Sequence, residues 1–197
     1  MKKFALAAVL CAAVSTPAFA QYADEVEDST AQDGLRIEAR ATYETPTISS
    51  VVEEDDVYKL GSAFAFGGEI GYDVAVGDTV VVGPYGQYEV SNVESSEDGF
   101  TFRTTDYFEA GLHVGVSTGA NSQFFGKVGY ANLGFESRGL NLDTNERGSG
   151  VAFALGYEIG FGENLYGRLE GGYADVGEVY FLNWQRRHLG VALGARF

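Results

Sequence analysis

The sequence predicts an all-β fold, an eight-stranded antiparallel transmembrane β-barrel with short periplasmic turns and long extracellular loops. Three observations predict it. Alternation with period two recurs from about residue 35 to the end. The closing stretch, His188 to Phe197, puts Leu189, Val191, Leu193, Ala195 and Phe197 on one strand face and His188, Gly190, Ala192, Gly194 and Arg196 on the other. Its large apolar face suits lipid, and its small or charged face suits a narrow interior. The connections between strands, finally, alternate between short and long, the habit of barrels that cross an outer membrane.

The first elements stand outside this pattern. Lys2 and Lys3 precede an apolar run, 4–13, that is too short to span a bilayer as a helix. Ala18-Phe19-Ala20 is a small-x-small cleavage site, so residues 1–20 read as a secretory signal peptide. A membrane anchor helix is disfavoured because Ser15, Thr16 and Pro17 interrupt the run. A lipoprotein is disfavoured because Leu10 precedes Cys11 where a small residue is needed. Residues 21–34 are polar and acidic without periodicity and read as a flexible lead-in. Residues 35–197 form the barrel domain.

Without Lys2 and Lys3 the chain carries 11 basic and 28 acidic residues, a net of −17. So acidic a chain is no partner for nucleic acid. Past Cys11 there is no cysteine, which excludes disulfides and thiolate metal sites. The 27 glycines, 12 tyrosines and 14 phenylalanines suit strands and tight turns.

Eight strands are expected, at about 35–44, 64–76, 79–90, 106–116, 123–133, 151–161, 165–173 and 188–197. Most approach the ~9–11 residues with which a tilted strand crosses a bilayer. Short turns fall at 77–78, 119–121 and 162–164, and long loops at 45–63, 91–105, 134–150 and 174–187. Tyr43, Tyr88, Tyr130 and Tyr173 each lie eight to ten residues into an ascending strand, at the outer interface. Tyr72 and Tyr157 lie low on descending strands, as does Phe197. The six tyrosines make two aromatic girdles, where rings sit between lipid tails and water.

The opposite face carries Arg36, Glu38, Arg40, Glu69, Asp73, Glu109, His113, Lys127, Glu158, Arg168, Glu170 and Arg196. With His113 neutral, that is five cations against six anions, so most of the net charge lies in the loops and lead-in. Turn counting sets Glu158 opposite Arg168 and His113 opposite Lys127, with Glu109 further along the same face. Closure of the last strand on the first brings Arg196 near Glu38. An eight-stranded barrel is just wide enough for side chains to fill. Its ions must therefore pair, because an unpaired buried charge is costly. These residues read as a structural plug.

The chain resembles the small eight-stranded outer-membrane barrels of Gram-negative bacteria, the opacity-type and OmpA/OmpX-like group often labelled a porin family. The resemblance rests on the signal peptide, the Gly-Tyr steps (Gly71-Tyr72, Gly129-Tyr130, Gly156-Tyr157, Gly172-Tyr173), the Val82-Gly83-Pro84-Tyr85 segment and the terminal Phe197. It covers about 35–197. It implies that the last strand addresses the chain to the barrel-assembly machinery, through a polar-x-Gly-x-x-apolar-x-apolar pattern before a terminal aromatic. His188, Gly190, Leu193, Ala195 and Phe197 match it, Ala195 being weaker than the family's usual apolar residue.

Some barrels of this size modify lipids with Ser, His and an acidic residue. Here His113 shares a face with Ser117, but four residues along a strand is roughly 13 Å, too far for a hydrogen bond. His188 is flanked by Arg186, Arg187 and Leu189, which offer no nucleophile. The run 141–146 places oxygens at alternate positions but lacks the glycine and distal glutamate of a calcium loop. It reads as a solvated loop, as does the acidic run 53–56. Arg186 and Arg187 beside Trp184 read as an interfacial anchor at a strand end, within reach of lipid phosphate.

The expected role is non-enzymatic and cofactor-free: envelope integrity, adhesion or shielding. The expected partners are outer-membrane lipid and lipopolysaccharide, the assembly machinery, and a host or surface ligand met by the loops. The rivals are a small solute channel, a lipid-modifying enzyme and a soluble lipocalin-like barrel. The last needs its apolar face inward.

Overall fold

The computed structural model describes residues 30–50, 57–97, 100–139, 142–162, 164–179 and 182–197. The expected signal peptide, most of the lead-in, the acidic run 53–56, Asn141 and Glu163 lie outside them. The strands are β1 (Gly34–Ser50), β2 (Val57–Lys59), β3 (Ala63–Ala75), β4 (Val80–Val90), β5 (Glu94–Glu97), β6 (Phe100–Gly119), β7 (Ser122–Gly139), β8 (Leu142–Phe161), β9 (Leu165–Val179) and β10 (Leu182–Arg196). β1, β3, β4 and β6 to β10 pair antiparallel in chain order, and β10 returns to β1, closing an eight-stranded ring. β2 adds to β1 and β5 to β6.

Closure runs from Arg36 opposite Arg196 to Ser50 opposite Leu182. Leu35 and Phe197 then exchange two backbone hydrogen bonds of 3.0 Å, so the terminal residue makes the last rung. At the short-turn end, Gly77 and Gly162 take φ of 81° and 85°, a left-handed conformation that glycine adopts without steric cost.

The faces sort as the alternation requires. Leu189, Val191 and Leu193 are exposed, as are Phe64, Phe66, Ile70, Leu112, Phe153 and Leu155 on other strands. So continuous an exposed apolar band belongs against lipid. The opposite face of β10 is small because space is short. A Cβ at Gly194 would collide with the Tyr166 ring, and one at Gly190 would stand 3.1 Å from Thr42 Oγ1.

Two expectations need correction. The long loops are in large part strand: β6 and β8 run 20 residues each and β7 runs 18. That is nearly twice what a tilted strand needs to cross a bilayer. The β7–β8 ladder continues to Gly139 opposite Leu142, through the segment expected to be a solvated loop. The physical reason is that the faces exchange character. On β7 the outward face passes from Val128 and Tyr130 to Asn132, Glu136 and Arg138, while the inward face passes from Lys127 to Ala131, Leu133 and Phe135. β10 does the same, from Leu189 to Arg187 outside and from His188 and Arg186 to Trp184 inside. Beyond the girdle the barrel becomes water-soluble in pattern, with an inner apolar core of Ile48, Tyr107, Leu133, Phe135, Val176 and Trp184.

The described end of the lead-in is also tied down rather than free. Thr30 N–H donates to Asp78 O (2.9 Å), Ser117 Oγ donates to Thr30 O (2.6 Å), and Gln32 Nε2 donates to Ala120 O (2.8 Å). Residues 30–33 thus lie on the turns at the short-turn mouth, and Gly34 already belongs to β1.

Candidate functional site

Each interior charge is aimed inward by strand parity, and the narrow ring brings residues of distant strands together. Eleven of the twelve expected interior residues are buried, and Arg196, at the mouth, is half-buried. Nearest the short-turn end, Asp73 receives Arg36 Nε (2.6 Å), Arg196 Nη1 (3.2 Å) and His113 Nδ1 (3.0 Å). Glu158 pairs with Arg168 directly across the β8–β9 ladder (2.7 Å) and with Arg196 (2.8 Å).

One level further in, Glu38 receives Arg36 and Arg168 at 2.8 Å each, and the Tyr166 hydroxyl at 2.9 Å. Lys127 sits between Glu69 and Glu170, 2.8 Å from each, and donates to Gln87 Oε1 (3.0 Å). Arg40 bridges Glu69, Glu170 and Glu89.

Two expected partnerships differ. Arg196 stands on the rung of Arg36, and its guanidinium goes to Asp73 and Glu158 rather than Glu38. His113 and Lys127 are rung partners, but His113 turns to Asp73 and Arg168 while Lys127 reaches Glu69 and Glu170. Two groups that can both be cationic gain nothing from each other, and anions of other strands lie within reach across the lumen. Glu109 is served by hydroxyls, accepting from Tyr85 and Tyr107.

A third level escaped sequence reasoning. Arg186 is fully buried and pairs with Glu44 and Glu89, with its guanidinium 3.9 Å over the Tyr107 ring. Ser91 donates to Glu44, Thr42 donates to Glu89 (2.7 Å), and His188 Nε2 lies 3.2 Å from Glu170. Arg186 is therefore no interfacial anchor. Nor is Trp184, which is 3 % exposed and stacks on Phe135 at 4.2 Å and 3°. Arg187, one residue on, faces out. The signal was present: parity carried back from His188 sets Arg186 and Trp184 inside. With this level, six cations face eight carboxylates, and the excess carboxylates accept from Tyr, Ser and Thr hydroxyls.

The girdle tyrosines face outward: Tyr43, Tyr72, Tyr88 and Tyr130 are exposed, and Tyr157 and Tyr173 are half-buried. Of the assembly pattern, Leu193, Ala195 and Phe197 lie on the outward face and His188 and Gly190 on the inward one. Ser117, at the short-turn end, is engaged by Thr30. Outside the girdle, hydrogen bonds from Arg147, with a further one from Thr105, hold the Asp106 carboxyl below its usual range against the opposing effect of partial burial.

A closed antiparallel ring with a lipid-type outer band and a charge-filled interior is an integral outer-membrane β-barrel. The family model of the outer membrane protein beta-barrel domain matches residues 4–197, and the chain belongs to that family. It is an outer-membrane protein. Comparison with curated proteins gives no match. Among solved structures, the Neisserial surface protein A shares 14 % identity with a TM-score of 0.57, over 83 % of this chain and 97 % of that one. The outer membrane protein OprG of Pseudomonas aeruginosa shares 13 % identity with a TM-score of 0.52, over 86 % and 99 %. The attachment invasion locus protein Ail of Yersinia pestis shares 10 % identity with a TM-score of 0.51, over 82 % and 99 %. At such identities these likenesses establish the fold alone.

Proposed function

We propose that this protein is a non-enzymatic structural and surface-interaction barrel, which anchors a rigid outer platform in the membrane and conducts no solute. The observation that carries this is the interior: three levels of paired charge capped by a stacked apolar layer. A pore needs a wet lumen, whereas here the lumen is occupied by side chains bonded to one another. The two histidines are buried and engaged with Asp73, Arg168 and Glu170, which supports a structural rather than a catalytic role. Residues 1–20 serve as a signal peptide, and the pattern His188, Gly190, Leu193, Ala195 and Phe197 addresses the chain to the assembly machinery.

Lipopolysaccharide surrounds the platform, and the acidic rim of the barrel meets a surface partner. The Ail protein has been crystallised with the heparin analogue sucrose octasulfate. Without Lys2 and Lys3 the chain carries a net charge of −17, better matched to a basic partner than to such a polyanion.

Orientation is tested with single cysteines, since the mature chain has none. Ser96→Cys, on β5, is labelled by a membrane-impermeant maleimide in intact cells, and Asn121→Cys, in the β6–β7 turn, only after permeabilisation. The reverse pattern would contradict the proposal.

A further inference from the structure

The outer rim holds an exposed cation, Arg187, that makes no ion pair among the described residues. Among the described residues, Arg103 donates to Asn92 (2.9 Å), Arg138 pairs with Glu136 (3.1 Å) and Arg147 pairs with Asp106 (2.8 Å). Arg187 stands where the outward face of β10 changes from apolar to polar. Its rung runs from Tyr173 on β9 through Arg187 to Thr45 on β1, and the rung below runs from Gly171 through Leu189 to Tyr43. Tyr43, Thr45, Tyr173, Arg187, His188 and Leu189, with Gly172, wall a shallow outward depression of about 400 Å³. Asp175, the nearest acidic residue further out on β9, is occupied by the Gly177 N–H (3.1 Å).

The surface below is shaped for chains. Leu189, Val191 and Leu193 form a ridge, and Ala41 and Ala39 on β1 leave a furrow on one side. On the other side, at Gly171, no atom lies within 4 Å of where a Cβ would stand. A planar guanidinium between two interfacial phenols, at the level where acyl chains end, matches a phosphate ester rather than a carboxylate of the protein.

We propose that this cleft binds one phosphorylated glycolipid of the outer leaflet, with its phosphate on Arg187 between Tyr43 and Tyr173 and an acyl chain along the Leu189–Leu193 ridge. This rests on the outward orientation given above, which the cysteine labelling tests separately.

The test is native mass spectrometry of the mature chain, folded in neutral detergent and supplied with bis-phosphorylated lipid A. The wild type retains one lipid, and Arg187→Gln retains about tenfold less, the scale of one charge-assisted contact. Arg138→Gln, also exposed but paired with Glu136, retains it like the wild type. Lipid A stripped of phosphate binds neither form, and inorganic phosphate alone gives no adduct. Equal retention by Arg187→Gln and wild type would overturn the site. Equal retention of the phosphate-free lipid would overturn the phosphate contact, and an adduct with inorganic phosphate alone would overturn the lipid. Each variant is first shown to migrate as a folded, heat-modifiable band, so misfolding is separated from lost binding.

Discussion

Lys127 illustrates how single residues hold this barrel together. Its ammonium is enclosed by Glu69, Glu170 and Gln87 and lies 4.7 Å over the Tyr85 ring. Lys127→Ala leaves two buried carboxylates short of a partner, which costs about 3–5 kcal/mol. Urea unfolding in vesicles should show that loss, whereas Arg187→Gln should unfold like the wild type. Trp184 gives a second check, because it is the protein's one tryptophan. Stacked inside the outer barrel, it should emit at short wavelength and resist quenching by brominated lipids. Strong quenching would place it at the membrane interface instead. Read alone, the run 184–187 looks like such an anchor. Only the parity carried back along the strand from His188 shows that Trp184 and Arg186 share the inward face while Gln185 and Arg187 do not.

At the scale of elements, the membrane-crossing parts of the strands were legible because lipid imposes one rule on every outward position. Beyond the girdle that rule reverses, and segments such as 134–150, rich in glycine and charge, look like loops when judged by the lipid-facing pattern. Residues 134–139 and 142–150 are instead a ladder, with Phe135 turned into the inner apolar core. Amide hydrogen exchange in vesicles should therefore find residues 131–138 and 143–149 protected together with the membrane strands. Fast exchange across both stretches would return them to loops. The closing strand carries another expectation. Phe197 contributes two terminal backbone bonds and a ring that is 70 % exposed, so its deletion removes only about 1–3 kcal/mol. Deletion should lower the amount assembled in cells far more than the unfolding midpoint of protein refolded in vesicles. Normal assembly in cells would show that the closing strand is not the address.

For the whole molecule, register was legible and partnership was not. Counting from the tight turn sets Glu158 against Arg168, because pairing across one ladder is local. The pairs Lys127–Glu69, Arg168–Glu38 and Arg186–Glu89 join strands that are not neighbours, across a lumen whose width no single strand records. That convergence fills the interior, and it is what supports the proposal that the barrel is a rigid post rather than a conduit. Planar-bilayer recording of the refolded mature chain tests this most directly. The account predicts no conductance steps from the wild type. Reproducible single-channel steps that rise when Glu158 or Arg168 is neutralised would contradict it.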